Sequence, residues 1–230
     1  MRRLVLFDID GTLLSAGGAG ARALGAALAE VFGETGPIGG YSMAGRTDPQ
    51  IVRELMGAAG RSAAEVEPYL PALWTAYLRN LREEIDRASV RALPGVPALL
   101  ARVAADGDPV LLGLLTGNVL DGARMKVDAA GLDFGRFRVG AYGSDHGHRP
   151  ELPAVAARRA RELTGVAYAG KEIVIIGDTP FDIACGEHLG VRTLAVATGG
   201  HSADELAACG PDFVFEDLSD TERVWQAIAA

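Results

Sequence analysis

Apolar residues fall along this chain in two rhythms. Short apolar-rich runs at residues 4–7, 110–115, 172–176, 191–196 and 212–215 are each bounded by polar or turn-forming residues. Runs of that length between turn signals read as strands, mostly buried, and 137–142 reads as one more. Between the later runs, apolar positions recur every three or four residues, the spacing of a helix face. This predicts helices from the turn at 116–118 to about residue 130, over 150–163, over 180–189 and from about residue 219. The stretch Ser202-Ala-Asp-Glu205 is a capping box that opens a further short helix. Strands alternating with helices in this way imply a parallel sheet with helices on its faces.

Residues 15–90 keep only the helical rhythm, with no strand pattern. Helices are predicted over 19–32 and 48–58, the second with Thr47 as N-cap and Gln50 three residues on. A longer helical stretch opens at the capping box Ser62-Ala-Ala-Glu65, bends at Pro71 and reaches residue 87. Met43, Met56, Trp74, Tyr77 and Leu81 fit the packed interior of such a unit. The predicted architecture is α/β: a doubly wound parallel sheet from residues 1–14 and 91–230, carrying an all-helical insertion at 15–90. Residues 14–18 and 88–95 would be its two connections.

Composition narrows the setting. The chain has 230 residues, 49% of them apolar, enough for a packed interior. Arg2 and Arg3 followed by an apolar run imitate a leader peptide, but Asp8 and Asp10 interrupt the run too early. The net charge of −8 argues against a nucleic-acid backbone as partner. Cys185 and Cys209 form no disulfide pattern and fit a reducing compartment, so a cytoplasmic protein is expected. Of the basic residues only two are lysines, Lys126 and Lys171.

Four polar clusters sit just beyond predicted strands, where open parallel sheets bind ligands. They are Asp8-Ile-Asp10-Gly-Thr12, Thr116-Gly117-Asn118, Arg149-Pro150, and Gly177-Asp178-Thr-Pro-Phe-Asp182. Alternation sends Asp8 and Asp10 off the strand on the same side. Two like charges that close call for a shared cation. The sequence Asp145-His146-Gly147-His148 invites a second metal reading, but two histidines in such a loop read as solvated side chains.

Taken together, the clusters resemble those of the haloacid dehalogenase-like hydrolase superfamily, and within it the phosphatase branch that includes phosphoglycolate phosphatases. The resemblance spans essentially the whole chain, the helical insertion being similar to that branch's cap domain on a Rossmann-like core. It implies an aspartyl-phosphate formed on Asp8, with Asp10 as general acid and then general base. It implies Mg²⁺ held by Asp8, the backbone carbonyl of Asp10 and Asp178, with Asp182 behind them. Thr116 and Gly117 would bind phosphate oxygens. The position usually held by lysine falls to Arg149, because Lys126 is mid-helix and Lys171 directly precedes a strand. Gly45-Arg46-Thr47-Asp48 is similar to a cap loop that faces the active site, which makes Arg46 a candidate ligand for the substrate's distal group.

The implied function is hydrolysis of a small phosphomonoester, phosphoglycolate-like or sugar-phosphate-like. The implied partner is a small phosphorylated metabolite, with neither nucleic acid nor membrane, on a monomer or homodimer. Asp10 disfavours dehalogenation, and the absence of lysine from 15–90 disfavours phosphonate hydrolysis through a Schiff base. A sugar-phosphate mutase is the alternative within the superfamily. A phospho-receiver or scaffold protein is the alternative outside it.

Overall fold

The computed structural model describes residues 2–105 and 110–230. Met1 and residues 106–109, which fall within the segments assigned to the core, lie outside the described residues. Six parallel strands form the sheet: β1 (Arg3–Phe7), β4 (Val110–Leu115), β5 (Val139–Ala141), β6 (Ile173–Gly177), β7 (Arg192–Val196) and β8 (Phe213–Phe215). Their order is β5-β4-β1-β6-β7-β8. β1 is central, with Phe7 opposite Leu114 on one side and Ile176 on the other.

Both faces of the sheet are covered, which is why its strands read as runs rather than as an alternation. Val5 and Phe7 of β1 and Val174 and Ile176 of β6 face one apolar cluster. Leu4, Leu6, Ile173 and Ile175 face another. Helices α5 (Val96–Ala105), α6 (Leu120–Ala129), α7 (Leu152–Thr164), α8 (Pro180–Cys185), α9 (Ala203–Ala207) and α10 (Thr221–Ala229) complete this layered unit. The apolar pattern did not assign α5.

The remaining helices, α1 (Ala19–Phe32), α2 (Asp48–Ala58), α3 (Ala63–Val66) and α4 (Leu70–Arg87), lie between β1 and β4 in sequence. They share an apolar cluster of their own, with Leu28, Leu55, Met56, Leu73, Tyr77 and Leu81 buried and Met43 and Trp74 packed against it. The break in the third helical stretch falls at a 3-10 turn over Glu67–Tyr69, ahead of the expected bend at Pro71. Pro71 sits in the first turn of α4, where a missing N–H breaks no helical hydrogen bond. Residues 14–18 and 88–95 do connect the two units, but they also pair. β2 (Leu14–Ser15) and β3 (Arg91–Ala92) form a two-residue antiparallel ladder, so Ser15 is in a strand that the pattern did not predict. Two residues are too few to leave a periodicity.

Other boundaries move for local reasons. The helix expected over 180–189 is interrupted after Cys185, resumes as a 3-10 turn at Glu187–Leu189 and ends at Gly190 in the left-handed conformation. The strand expected over 137–142 shortens to β5. Cys185 is buried in α8 and Cys209 is exposed beyond α9, both as free thiols. Among the described residues, no helix is long and apolar enough to cross a membrane.

Candidate active site

The strand order sets the location. The connection from β1 leads toward β4, and the connection from β6 leads toward β7 on the opposite side. A crevice opens at the carboxyl ends of two neighbouring strands whose connections diverge in this way. Asp8 follows β1 and Asp178 follows β6, so residues 170 positions apart in sequence meet at that crevice. A cavity of about 430 Å³ lies there, between the sheet edge and the inserted helices. Its wall brings together Asp8, Asp10, Arg46, Thr116, Gly117, Arg149 and Asp178, all singled out from the sequence. Asp182 does not line it and stands behind Arg149.

Asp8, Asp178 and Asp182 offer carboxylate oxygens within 4.8 Å of one another, all buried. Burial pushes Asp178 up to about 8, reinforced by the charges of Asp8 and Asp182, although the Thr12 hydroxyl donates to its Oδ1 at 2.8 Å. Burial also pushes Asp8 up to about 6, against the pull of the Arg149 guanidinium 3.3 Å away. Asp182 is already committed. It pairs with Arg149 through Oδ1 and accepts from the Thr179 N–H at 3.0 Å and the Thr179 hydroxyl at 2.6 Å through Oδ2.

Burial alone would lower the Arg149 pKa, but Asp182 and Asp8 outweigh it and keep the side chain cationic. Its Nε is buried without a partner among the described residues. Gly11, with φ +88°, and Gly199 both approach Asp178 so closely that a Cβ on either would run into the carboxylate. The two glycines thus leave the Asp178 carboxylate close to that of Asp8. Two buried carboxylates with oxygen-only chemistry suit a divalent cation of the Mg²⁺ type.

Asp10 has different neighbours. Its Oδ2 accepts from Lys126 Nζ at 2.8 Å and from Asn118 Nδ2 at 2.8 Å. Each of the two carboxylates therefore has a cationic side chain of its own, Asp8 that of Arg149 and Asp10 that of Lys126. Lys126 was set aside as mid-helix, whereas the structure buries it and turns it into the site. The available signal was its place on α6 between Ala123 and Val127, a charged residue on a buried stripe.

Thr116 is buried, and its hydroxyl accepts from Asn118 Nδ2 at 2.8 Å. Gly117 lies under the Arg46 carbonyl, where any Cβ would collide. Its own carbonyl accepts from the Asp48 N–H at 2.8 Å. Asp48, part of the cap loop but given no role from the sequence, accepts from the Val119 N–H at 2.8 Å and is pushed up to about 6 by burial, with Lys126 opposing.

The Arg46 guanidinium lies 5.3 Å from the Tyr41 ring and 5.5 Å from that of Phe181. It donates to the Ser42 carbonyl at 2.7 Å and pairs with Glu54 at 3.5 Å. Elsewhere, Asp145 pairs with Arg159 through both oxygens, at 2.6 and 2.7 Å. His146 and His148 are exposed and hydrogen-bond each other.

Comparison with known proteins finds similar chains. The profile of a family described as HAD-hydrolase-like matches residues 150–221. A probable phosphatase, IndB, of Dickeya dadantii is 25% identical over 228 residues, covering 96% of this chain and 92% of that protein. A hydrolase from Pseudomonas syringae superposes with a TM-score of 0.75 at 20% identity, covering all of both chains. A putative beta-phosphoglucomutase from Bacteroides vulgatus superposes with a TM-score of 0.70 at 21% identity, covering 99% of this chain and 89% of that one. Residues 150–221 thus match the HAD-hydrolase-like family, and the whole chain shares the fold of these solved structures.

Proposed function

We propose that this protein is a Mg²⁺-dependent phosphatase that hydrolyses a small phosphomonoester through an aspartyl-phosphate on Asp8. One observation carries the reading: two carboxylates two residues apart are held by two different cations. Asp8 is buried against Arg149. Asp10 is held by Lys126 and is 42% exposed on its side chain. That division suits a nucleophile and a proton-transferring group.

In the first step an Asp8 oxygen attacks phosphorus and the bond to the leaving oxygen breaks. Asp10 supplies the proton that oxygen needs, a role worth about 10²–10⁴-fold. The Thr116 hydroxyl, the Gly117 N–H and the Arg149 guanidinium receive the phosphoryl oxygens. Asp10 then takes a proton from the water that cleaves the acyl phosphate. When bound, Mg²⁺ would be held by Asp8, Asp178 and the Asp10 carbonyl, and would offset the repulsion between an anionic nucleophile and an anionic phosphate. Asp182 keeps Arg149 aimed. The inserted helices act as a cap whose interior decides the substrate, phosphoglycolate-like or sugar-phosphate-like. Arg46 would reach the distal group by exchanging Glu54 for substrate. The relative named a probable phosphatase supports the reaction class, and the two free thiols fit a cytoplasmic setting.

The test is a panel of phosphorylated metabolites assayed for phosphate release with Mg²⁺, with Asp8→Asn as the blank. The expected result is turnover that Asp8→Asn abolishes. Arg46→Ala should reduce turnover of the preferred substrate far more than that of para-nitrophenyl phosphate. Full turnover by Asp8→Asn would remove the nucleophile. Isomerisation of a hexose phosphate without phosphate release would make the protein a mutase.

A further inference from the structure

A buried lysine beside a proposed acid/base group has no part in the mechanism above. Lys126 is on α6, in the sheet-bearing unit, and its side chain is 6% exposed. An ammonium so far from water requires nearby negative charge or hydrogen-bond acceptors. Its neighbours supply them. Asp10 Oδ2 accepts from Nζ at 2.8 Å, and Asn118 Oδ1 accepts at 2.7 Å. Asp48 from α2 acts on it as a second negative charge, and Tyr77 from α4 lines the same cavity. From α1 comes Gly20, where a Cβ would stand 3.0 Å from Nζ and 3.7 Å from the Tyr77 hydroxyl. The absent side chain at Gly20 makes the room that the ammonium occupies.

The three polar groups close a triangle. Lys126 holds Asn118, Asn118 Nδ2 reaches Asp10 Oδ2 at 2.8 Å, and Lys126 reaches the same oxygen. Asn118 is in turn fixed to the Thr116 hydroxyl at 2.8 Å. Both donors end on Oδ2. Among the described residues no donor reaches Asp10 Oδ1, so one oxygen is anchored and the other is left for the cavity. A carboxylate that must hand a proton to a departing oxygen gains from that asymmetry. Its rotation is stopped, and misplacement by about 1 Å is enough to cost ~10²-fold in rate.

Resting on the phosphatase reading, we infer that Lys126, with Asn118, is a positioning residue that fixes Asp10 so that Oδ1 meets the leaving oxygen. The inserted helices contribute Gly20, Asp48 and Tyr77 to its surroundings, so the arrangement is complete only with those helices docked. A purely structural lysine would affect all substrates alike. A lysine that positions the proton donor matters in proportion to how much the leaving group needs the proton.

The experiment compares kcat/KM for propyl phosphate, whose alkoxide needs protonation, with that for para-nitrophenyl phosphate, whose phenolate does not. This parameter reports the steps through departure of the leaving group. Lys126→Met should lower the propyl phosphate value by about 10–100-fold, a fraction of the range for a general acid. The para-nitrophenyl phosphate value should fall by no more than about 3-fold. Lys126→Gln, too short to reach Asp10, should show the same asymmetry, and it carries the comparison alone if Lys126→Met fails to fold. In an Asp10→Asn background, Lys126→Met should cost less than about 2-fold on either substrate. Equal losses on both substrates, or additive losses with Asp10→Asn, overturn the assignment while leaving the phosphatase reading intact. That reading fails separately, through full turnover by Asp8→Asn.

Discussion

Asp178 and Asp8 show how far a side chain's surroundings can move its chemistry. Both are ordinary carboxylates in the unfolded chain, titrating near ~4. In the folded protein burial pushes them up to about 8 and about 6. A folded-state pKa above the unfolded value means that the charged form costs stability. That cost is full above pH 8 and disappears as pH falls through the folded values toward ~4. The metal-free protein should therefore gain from this pair as pH drops from 8 to 5. Mg²⁺, which needs both carboxylates charged, should raise the melting temperature more at pH 8 than at pH 5. Thermal scans in chelator and in Mg²⁺ at the two pH values check this; an equal rise at both would detach the metal from these residues. At this scale the acidic residues were legible because motif spacing exposed them. Lys126 was not, since its significance depends on the gap at Gly20 and on Asp10, neither near it in sequence.

Among the elements, legibility followed the strength of the local code. Val110–Leu115, Ala19–Phe32 and Asp48–Ala58 coincide with their expected bounds, because an apolar run or a capped amphipathic face specifies each one. The β2–β3 ladder and the interruption at Gly186 were invisible, being two residues long or dependent on one glycine. The start of α2 performs two tasks at once. Thr47 accepts from the Gln50 N–H at 3.2 Å as N-cap, and its hydroxyl donates to the Gly147 carbonyl at 2.7 Å, tying the inserted helices to the loop before α7. Only the first of these could be read from sequence. Thr47→Ala should lower stability by about 1–2 kcal/mol, at the upper end for a cap, because the tether is lost as well. Thr47→Ser should stay close to the parent. Chemical denaturation of the pair decides; a harmless alanine would mean that the cap is redundant.

Across the whole molecule, the sheet could be foreseen as parallel, but its strand order could not, because hydropathy does not say which strands are neighbours. That order has a consequence for biosynthesis. β1 leaves the ribosome well before β6, its partner on one side, which follows only at residues 173–177. Until then one edge of a strand that is apolar from Leu4 to Phe7 is unpaired, the kind of edge that recruits other chains. A fragment ending at residue 169 should accordingly aggregate or bind chaperones, whereas the full chain stays monodisperse in light scattering. A soluble, monodisperse fragment would show that the edge is protected by other means. Since Asp178 lies one residue beyond β6, the carboxylate that completes the acidic cradle arrives in the same step that closes this edge. Until it does, a nascent chain carries both the hazard of an open strand and an acidic cradle that lacks one of its carboxylates.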